Sequence, residues 1–500
     1  MANEEKKIII FGAGDYGRQA YEYYGPERVA YFTDNNENKW FSDYCGKKIL
    51  SIEDYFSIQK DFQTIIAVRS YSAIARQLED AGILDYEYYS TEYRQTVKRI
   101  EEQKKSIIDS SNLIFFGIDK SSEVLVRRVL NLAVAPKCIV YCDTKESGRI
   151  GKEFRGNRIQ DYFESVQNNS TVIISSAEDS YLYGAIAEQS TCKNVRIINP
   201  FVQIRYFETD DIIFNPYLKA PNGTEDLTEE EWNEQTKKDI NIRTIYKLAE
   251  ILDNYHPLFN HVEIETQNRC NGKCTFCPVS VGNDIRPKAS MSDELFEKII
   301  DELSDLNYSG RLALFSNDEP LLDPQIIQRH QIAREKLPKA RIHMFTNGSL
   351  LTVDKFVQLM QYLDELIIDN YNQKLELNKN PKVIAEYCEN HPEYKSRTTI
   401  VLRKENEILT SRGGDAPNRT QSLQFAKERC VLPFRQLIIR PDGKVSLCCN
   451  DPYGRMTMGD INEQSIKEIW YGPVYAEVRK KIMAGRENLD HCKFCDTFYF

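Results

Sequence analysis

Three cysteines close together are the residues of this chain best suited to chemistry. Cys270, Cys274 and Cys277 are separated by three residues and then by two. A loop with this spacing can bring three sulfurs to one face of an iron–sulfur cube. A [4Fe–4S] cluster usually takes four cysteines, and the nearest others along the chain are Cys192 and Cys388. One iron would therefore remain open to bind another molecule.

Two other interpretations of these thiols are open. Three cysteines and one further ligand could hold zinc, or the thiols could be unrelated buried side chains, because free cysteine is often buried. The residues between them, such as Asn271 and Gly272, are typical of a loop rather than of a core. The closest histidine, His261, precedes the loop in a predicted strand. The pattern therefore favours an iron–sulfur cluster over zinc.

Alternating strands and helices must position this loop. Residues 261–266 alternate as a strand that leads into it, and Ser292, followed by acids, is typical of a helix start. The strand pattern recurs at residues 311–316, 340–346, 366–369 and 399–403. Strands that alternate with helices imply a parallel sheet. In barrels of this kind the chemistry lies at the C-terminal ends of the strands.

The cysteine motif resembles the signature of the radical S-adenosylmethionine (SAM) superfamily, including the aromatic Phe276 before the last cysteine. In that family the open iron binds SAM, and an electron from the cluster cleaves it to methionine and a 5′-deoxyadenosyl radical. The radical then abstracts hydrogen from a substrate, while the protein positions and shields the cofactor. The resemblance implies a partial (β/α)6 barrel, with Cys270, Cys274 and Cys277 as ligands of the SAM-binding [4Fe–4S] cluster.

Residues 317–320 resemble the Gly-Gly-Glu-Pro segment of the same family, which meets the amino group of SAM. Glu319 and Pro320 match this segment, whereas Asn317 and Asp318 replace its two glycines. The resemblance implies that Glu319 and Pro320 help to bind SAM.

Two glycine-containing loops follow later strands. Asn347 and Gly348 resemble the Thr-Asn-Gly turn of the family and are expected to help seat SAM, although such a turn alone would be ordinary turn chemistry. Arg412, in the polar Gly-Gly loop at 411–417, is a candidate for binding a carboxylate or phosphate. A solvated arginine on a surface loop is the alternative. No catalytic residue is identified from the sequence.

A second group of thiols lies near the C-terminus, after a predicted Pro-Asp-Gly hairpin. Its members are Cys430, Cys448, Cys449, Cys492 and Cys495. The stretch resembles the SPASM/twitch extension of radical SAM enzymes, a small Cys-rich domain that carries auxiliary clusters. The resemblance implies one auxiliary [4Fe–4S] cluster, with Cys430, Cys448, Cys492 and Cys495 as ligands and Cys449 as the spare or substitute. A structural zinc held by four thiolates is the alternative.

The N-terminal sequence has the pattern of a nucleotide site. A predicted strand runs into Gly12, Gly14 and Gly17 and a helix, and the next predicted strand ends at Asp34. Glycines permit a tight turn and close phosphate approach, and an acid at this position can meet a ribose hydroxyl. We expect a nucleotide or nucleotide-sugar here, as in small modules of bacterial surface-polysaccharide enzymes that this segment resembles. A packing or docking domain without a ligand is the alternative.

The same pattern recurs once, with only Gly117 of the glycines kept. The chain is therefore predicted to be α/β throughout, with two Rossmann-like units before the barrel. The predicted segments are a first repeat at 1–105, a degenerate second repeat at 106–210, a connector at 211–255, a radical SAM partial barrel at 256–428 and a SPASM/twitch-like domain at 429–500. The connector is inferred partly from a Pro-Asn-Gly turn at 221–223.

The expected reaction is hydrogen abstraction from a small molecule, leading to oxidation, dehydration or epimerisation. A sugar, an aminocyclitol or a nucleotide-linked metabolite is favoured, because the repeats occupy the place where peptide maturases usually carry a peptide-binding element. Maturation of a ribosomally made peptide is the alternative. A non-catalytic sensor with iron–sulfur or zinc sites is a second alternative, favoured only by the changed Asn317–Asp318 pair.

Composition limits the partners of the chain. The formal net charge is −10 and the pI is about 5.4, so nothing indicates binding to nucleic acid. No stretch has the length and apolarity of a membrane span, and no signal peptide or lipidation motif is recognised. We expect a cytoplasmic protein, without a membrane partner, that receives electrons from a flavodoxin- or ferredoxin-type donor.

Overall fold

The structure is a computed structural model. It describes residues 6–68, 71–83, 86–89, 91–110, 112–118, 122–132, 138–176, 180–201, 206, 211–219, 228–239 and 242–498. The chain divides into two compact units, Met1–Val202 and Gln203–Phe500.

The first unit contains two sheets with the same order of parallel strands. The central strands, Ile8–Phe11 and Leu113–Phe116, are fully buried apolar runs, which is typical of parallel strands covered on both faces. The first sheet has the order Asp43–Tyr44, Lys47–Leu50, Val29–Thr33, Ile8–Phe11, Gln63–Ile66, Tyr86–Tyr88, with Asp43–Tyr44 as an added antiparallel edge. The second has the order Gln160–Asp161, Ile139–Asp143, Leu113–Phe116, Thr171–Ile174, Arg196–Ile198.

Helices connect these strands. The α-helices described in the first unit are Asp15–Tyr24, Ile52–Ile58, Tyr71–Asp80, Thr91–Glu102, Lys104–Ile108, Ser122–Leu132, Tyr162–Ser165 and Ser180–Ala187. Parallel strands need such crossovers, since a tight turn cannot join them.

The second unit is built on one sheet that begins with seven parallel strands and ends in an antiparallel hairpin. Its order is Ile213–Phe214, Thr398–Arg403, Glu365–Tyr371, Arg341–Thr346, Arg311–Ala313, His261–Ile264, Gln436–Ile439, Lys444–Ser446, Thr457–Asp460. Five of these strands were predicted from their apolar pattern. The mixed α/β class with parallel sheets confirms the predicted fold class.

The helices of the second unit alternate with these strands. They are Glu229–Asp239, Ile242–Tyr255, Asp293–Asp305, Ile326–Lys336, Val353–Leu359, Lys379–Glu389, Pro392–Lys395, Ile466–Trp470 and Pro473–Ala484. Ser292 caps the third of them, because its hydroxyl accepts the Leu295 N–H at 3.2 Å.

The segment predicted as a connector contributes directly to the second unit. Its strand Ile213–Phe214 pairs in parallel with Ile400 and Val401 of the fifth predicted strand. The Pro-Asn-Gly turn at 221–223 lies outside the described residues. The boundaries of the five predicted segments therefore stay predictions.

Candidate active site

The three clustered cysteines line one cavity of about 310 Å³ at the C-terminal ends of the parallel strands. Between them, the Gly272 N–H donates to Cys270 Sγ at 3.3 Å. A Cβ atom at Gly272 would lie 3.3 Å from Cys270 Sγ and 3.8 Å from Cys274 Sγ. Glycine therefore leaves the space beside both sulfurs free. Three thiols around a cavity with this free space fit a cluster bound on one face.

Side-chain amides hold the cysteine loop against the Asn-Gly turn. Asn347 Nδ2 donates to Asn271 Oδ1 at 2.8 Å, and Asn271 Nδ2 donates to Ser349 Oγ at 2.9 Å. At Gly348 φ is +70°, and a Cβ atom would approach Ile368 Cγ2 to 2.7 Å. The predicted turn residues therefore fix the position of the loop that carries Cys270 and Cys274.

Glu319 connects two strand ends through its buried carboxylate. Its oxygens accept hydrogen bonds from Thr346 Oγ1 at 2.6 Å, Asn347 N at 2.8 Å and Leu321 N at 3.1 Å. Burial raises the pKa of Glu319, and these three hydrogen bonds oppose that rise. Pro320, also buried, begins the short 3-10 helix Pro320–Leu322. Because both oxygens are already engaged, Glu319 orients the Asn347 turn.

The two residues that replace the glycines of the family motif stabilise the turn themselves. Asp318 Oδ1 accepts the Ser316 N–H at 2.9 Å, and Gln267 Nε2 donates to Asp318 Oδ2 at 3.3 Å. Asn317 Nδ2 donates to Ser316 Oγ at 3.2 Å. Side-chain hydrogen bonds of both residues thus hold this turn.

The five C-terminal thiols differ in their surroundings. Cys430, Cys448, Cys492 and Cys495 are each less than one-tenth exposed. Burial and the neighbouring thiols of this group raise the pKa of Cys448. Cys449 instead lines the cavity of the first cysteine group. Cys449 also raises the pKa of its neighbour Cys448, and the assignment of the four ligands stays a prediction.

A buried arginine crosslinks the segments that carry these thiols. Arg486 is 1% exposed and donates to three carbonyl oxygens, those of Glu428, Thr497 and Phe425, each at 3.0 Å. Its positive charge opposes the pKa rise that burial causes at Cys430. Sequence reasoning missed Arg486, since a lone arginine gives no pattern.

Arg412 lines the cavity. This position is the one required if Arg412 binds a carboxylate or phosphate. Its φ is +51°, and Nη1 donates to the Cys449 carbonyl at 3.3 Å. The next residue, Gly413, also has a positive φ, and a Cβ atom there would come within 2.1 Å of the His491 ring. The Gly-Gly sequence therefore lets the loop pack against the second thiol group while Arg412 faces the first.

The inner wall of the cavity comes from alternate residues of the parallel strands. These residues are His261, Glu263, Phe315, His343, Phe345, Asp369 and Tyr371. Burial raises the pKa of Glu263 to about 7, although the Ser316 hydroxyl, which donates to it at 2.6 Å, and Arg412 oppose that rise. None of these residues was predicted to be functional. Their alternation with core residues was the available signal.

Local packing and backbone conformation explain Gly12 and Gly17. At Gly12 φ is +121°, and a Cβ atom at Gly17 would lie 1.9 Å from the Gly12 carbonyl oxygen. Gly14 precedes the helix Asp15–Tyr24 as its N-cap residue. The Asp34 carboxylate accepts the Ala13 N–H at 2.9 Å and a Lys39 ammonium hydrogen bond at 2.9 Å. Asp34 therefore holds the glycine loop itself, and the nucleotide site stays a prediction.

Comparison with known families gives two matches in the second unit. Residues 264–376 match the model of the Radical SAM superfamily, and residues 430–496 match SPASM, an iron-sulfur cluster-binding domain. The chain therefore contains a radical SAM segment followed by a SPASM segment. This radical SAM chain is an enzyme that uses SAM with a [4Fe–4S] cluster and carries an auxiliary iron–sulfur cluster. The predicted radical SAM and SPASM resemblance, the SAM and iron–sulfur cofactors and the enzyme class are confirmed, whereas the N-terminal Rossmann-like repeats and their ligand stay predictions.

Named relatives each match about half of this chain. The S-adenosyl-L-methionine-dependent 2-deoxy-scyllo-inosamine dehydrogenase of Niallia circulans is 29% identical over 241 residues, which are 48% of this chain and 94% of that protein. The crystal structure of BtrN in complex with AdoMet and 2-DOIA is 26% identical, with a TM-score of 0.42, and the match covers 48% of this chain and 93% of BtrN. Native anSMEcpe with bound AdoMet is 14% identical, with a TM-score of 0.35, and the match covers 48% of this chain and 89% of anSMEcpe.

The part of the chain that the structure describes contains no helix long and apolar enough to cross a membrane.

Proposed function

We propose that this enzyme oxidises a secondary alcohol of a small hydroxylated ring, of the aminocyclitol class, to a ketone. This proposal is carried by the similarity to the S-adenosyl-L-methionine-dependent 2-deoxy-scyllo-inosamine dehydrogenase of Niallia circulans, of which 94% is matched. The match covers 241 residues, 48% of this chain. A small-molecule substrate is therefore favoured over a peptide.

The first cysteine group fits the SAM-binding cluster. We infer that Cys270, Cys274 and Cys277 hold it, because all three line the cavity. When bound, the cluster and SAM supply a 5′-deoxyadenosyl radical. The chain keeps the site in place through Glu319 and Asn347, which tie the cysteine loop to neighbouring strand ends.

The second cysteine group fits an electron acceptor for the reaction. Oxidation of an alcohol to a ketone releases two electrons and two protons, and abstraction of one hydrogen atom removes one of each. The remaining electron needs an acceptor near the substrate, and the remaining hydroxyl proton is lost to water. Cys448, a proposed ligand of the auxiliary cluster, is adjacent in sequence to Cys449, which lines the cavity. This short separation supports a direct route for the electron.

The proposal also includes an electron donor, a cellular location and a ligand for the N-terminal module. A flavodoxin- or ferredoxin-type protein would supply the electron for SAM cleavage, since such cleavage is reductive. A cytoplasmic location would protect oxygen-sensitive clusters. The module around Gly12 and Asp34 would bind a nucleotide or nucleotide-sugar, which isothermal titration with a panel of nucleotide-sugars would test.

Product analysis tests the reaction class. The full chain would be purified and reconstituted without oxygen, reduced with dithionite, and given SAM and 2-deoxy-scyllo-inosamine. We expect a ketone lighter by two hydrogen atoms, formed in equal amount to 5′-deoxyadenosine. Cys492→Ala is expected to lower ketone yield more than SAM cleavage. A product of unchanged mass would refute dehydrogenation and indicate epimerisation.

A further inference from the structure

The inner end of the cavity contains polar atoms without a protein partner. We define the inner chamber by Tyr206, His261, Glu263, Phe315, His343 and Phe345, which all line the cavity. His343 is 4% exposed, yet its Nδ1 has no hydrogen-bond partner among the described residues. The same holds for Nε2 of His261. Buried polar atoms without partners cost free energy unless a ligand or water satisfies them.

The inner chamber surrounds His343 with rings. The centroid of its imidazole lies 5.0 Å from Tyr206, 5.8 Å from Phe315 and 6.2 Å from Phe345. Burial lowers the pKa of His343 well below its usual value, and the positive charge of Arg311 lowers it further. A neutral imidazole offers one donor and one acceptor. A hydroxyl group, which also donates and accepts, can hydrogen-bond to this imidazole. The aromatic rings around it can pack against the C–H groups of a saturated ring.

Acidic side chains outnumber basic ones in the lining of the cavity. Its lining includes four acidic side chains, those of Glu263, Asp318, Glu319 and Asp369, and the guanidinium of Arg412. Glu319 is engaged by three protein donors, as described above, and Asp369 pairs with Arg403 at 3.5 Å.

Glu263 is the acid placed in the inner chamber. One of its oxygens accepts from Ser316, and the other lies 3.5 Å from Nε2 of His261. Burial, Arg311 and Arg435 lower the pKa of His261 to about 3, so this histidine brings no positive charge near neutral pH. An ammonium ion would supply the opposite charge that a buried carboxylate needs.

We propose that the inner chamber binds the amine-bearing side of a free aminocyclitol, with the ammonium against Glu263 and a ring hydroxyl against Nδ1 of His343. This inference rests on the proposed function and deepens it. A phosphate on the amine-bearing side of the ring would meet the Glu263 carboxylate, so the inference favours unphosphorylated forms of the ring at this position. The substrate is thereby assigned to amino-polyols without a phosphate at this position.

Equilibrium binding separates this inference from the reaction itself. The reconstituted full chain with SAM would be titrated with 2-deoxy-scyllo-inosamine and with the cyclitol that carries a hydroxyl in place of the amine. In the wild type the amine should bind at least tenfold more tightly. Glu263→Gln keeps the shape of the side chain and removes its charge. We expect it to weaken amine binding by about 30-fold, and to change binding of the hydroxyl compound by less than about threefold.

His343 gives a second, independent arm. His343→Leu should weaken both compounds about tenfold, because the hydroxyl contact is common to them. His343→Gln, which keeps a donor and an acceptor, should recover part of that loss. Iron content and melting temperature of each variant establish that it is folded and loaded.

The outcomes are distinct. An equal loss for both compounds in Glu263→Gln, a phosphorylated aminocyclitol that binds as tightly as the free one, or no cyclitol binding by wild type would overturn the inference. Selective loss of amine binding supports it even if no ketone forms, in which case the proposed dehydrogenation alone fails. Ketone formation together with an unchanged amine preference in Glu263→Gln overturns the inference and leaves the reaction standing.

Discussion

Replacement of Glu319 by glutamine should weaken SAM binding while leaving the fold intact. The carboxylate accepts from Thr346 and Leu321 through one oxygen and from Asn347 N–H through the other. In Glu319→Gln the new NH2 group must face one of these donors. If the remaining oxygen stays with Thr346 and Leu321, the Asn347 N–H loses its acceptor. The turn that holds the cysteine loop is then less firmly fixed.

The size of the effect follows from the lost hydrogen bond. A hydrogen bond to a charged group contributes about 1.5–3 kcal/mol. Since about 1.36 kcal/mol corresponds to a factor of ten, the affinity for SAM should fall by roughly 10- to 150-fold. Most of this loss should appear as weaker binding, because Glu319 orients the turn and does not itself take part in a chemical step.

Equilibrium dialysis of SAM against the reconstituted protein measures this loss directly. Glu335→Gln is the matched control, since Glu335 is exposed on a helix and accepts only a surface hydrogen bond from Gln331 in the described structure. The control should bind SAM within about twofold of wild type. If Glu319→Gln, with full iron content, also stays within about twofold of wild type, the positioning role of Glu319 is refuted.

Three other predictions concern the second unit. Cys448→Ala should reduce the iron content of the protein to that of one cluster, whereas Cys449→Ala should leave the iron content unchanged. Iron and sulfide analysis measures both, and equal losses in the two variants would contradict the assigned ligands. Gly413→Ala should lower the melting temperature and auxiliary-cluster content, because the added Cβ would lie 2.1 Å from the His491 ring; unchanged values would show that the loop can shift freely. Burial lowers the pKa of His330 to about 4, below its unfolded value of about 6.5, so stability should be complete above pH ~6.5 and fall by about 2 kcal/mol at pH ~5. His330→Gln should reduce that acid sensitivity in melting curves at both pH values, and an identical pH dependence would argue against it.

Several features of the site were predictable because they depend on local sequence. The spacing of Cys270, Cys274 and Cys277 is read directly from the chain, and the Asn347–Gly348 turn follows from residue types that favour positive φ. The strand Arg341–Thr346 was predicted within one residue, since its pattern and its flanking turns agree. Such features need no knowledge of distant contacts.

Other features depend on residues far apart in sequence and could not be predicted. The strand Ile213–Phe214 joins the sheet beside Thr398–Arg403, a pairing that no local pattern encodes. At the end of the hairpin, Cys448 lies near the other C-terminal thiols and Cys449 lines the cavity. This difference depends on the fold and not on the local sequence. The hydrogen bonds of Asp34 with the Ala13 N–H and Lys39 join residues that sequence periodicity does not connect.

The most direct test of the central claim is formation of 5′-deoxyadenosine from SAM by the anaerobically reconstituted, dithionite-reduced chain. Wild type and Cys388→Ala, which removes a buried thiol of the helix Lys379–Glu389, are expected to form it. Cys274→Ala is expected to form none. Absence of 5′-deoxyadenosine from a wild-type protein with full iron content, or equal formation by Cys274→Ala, would contradict the account.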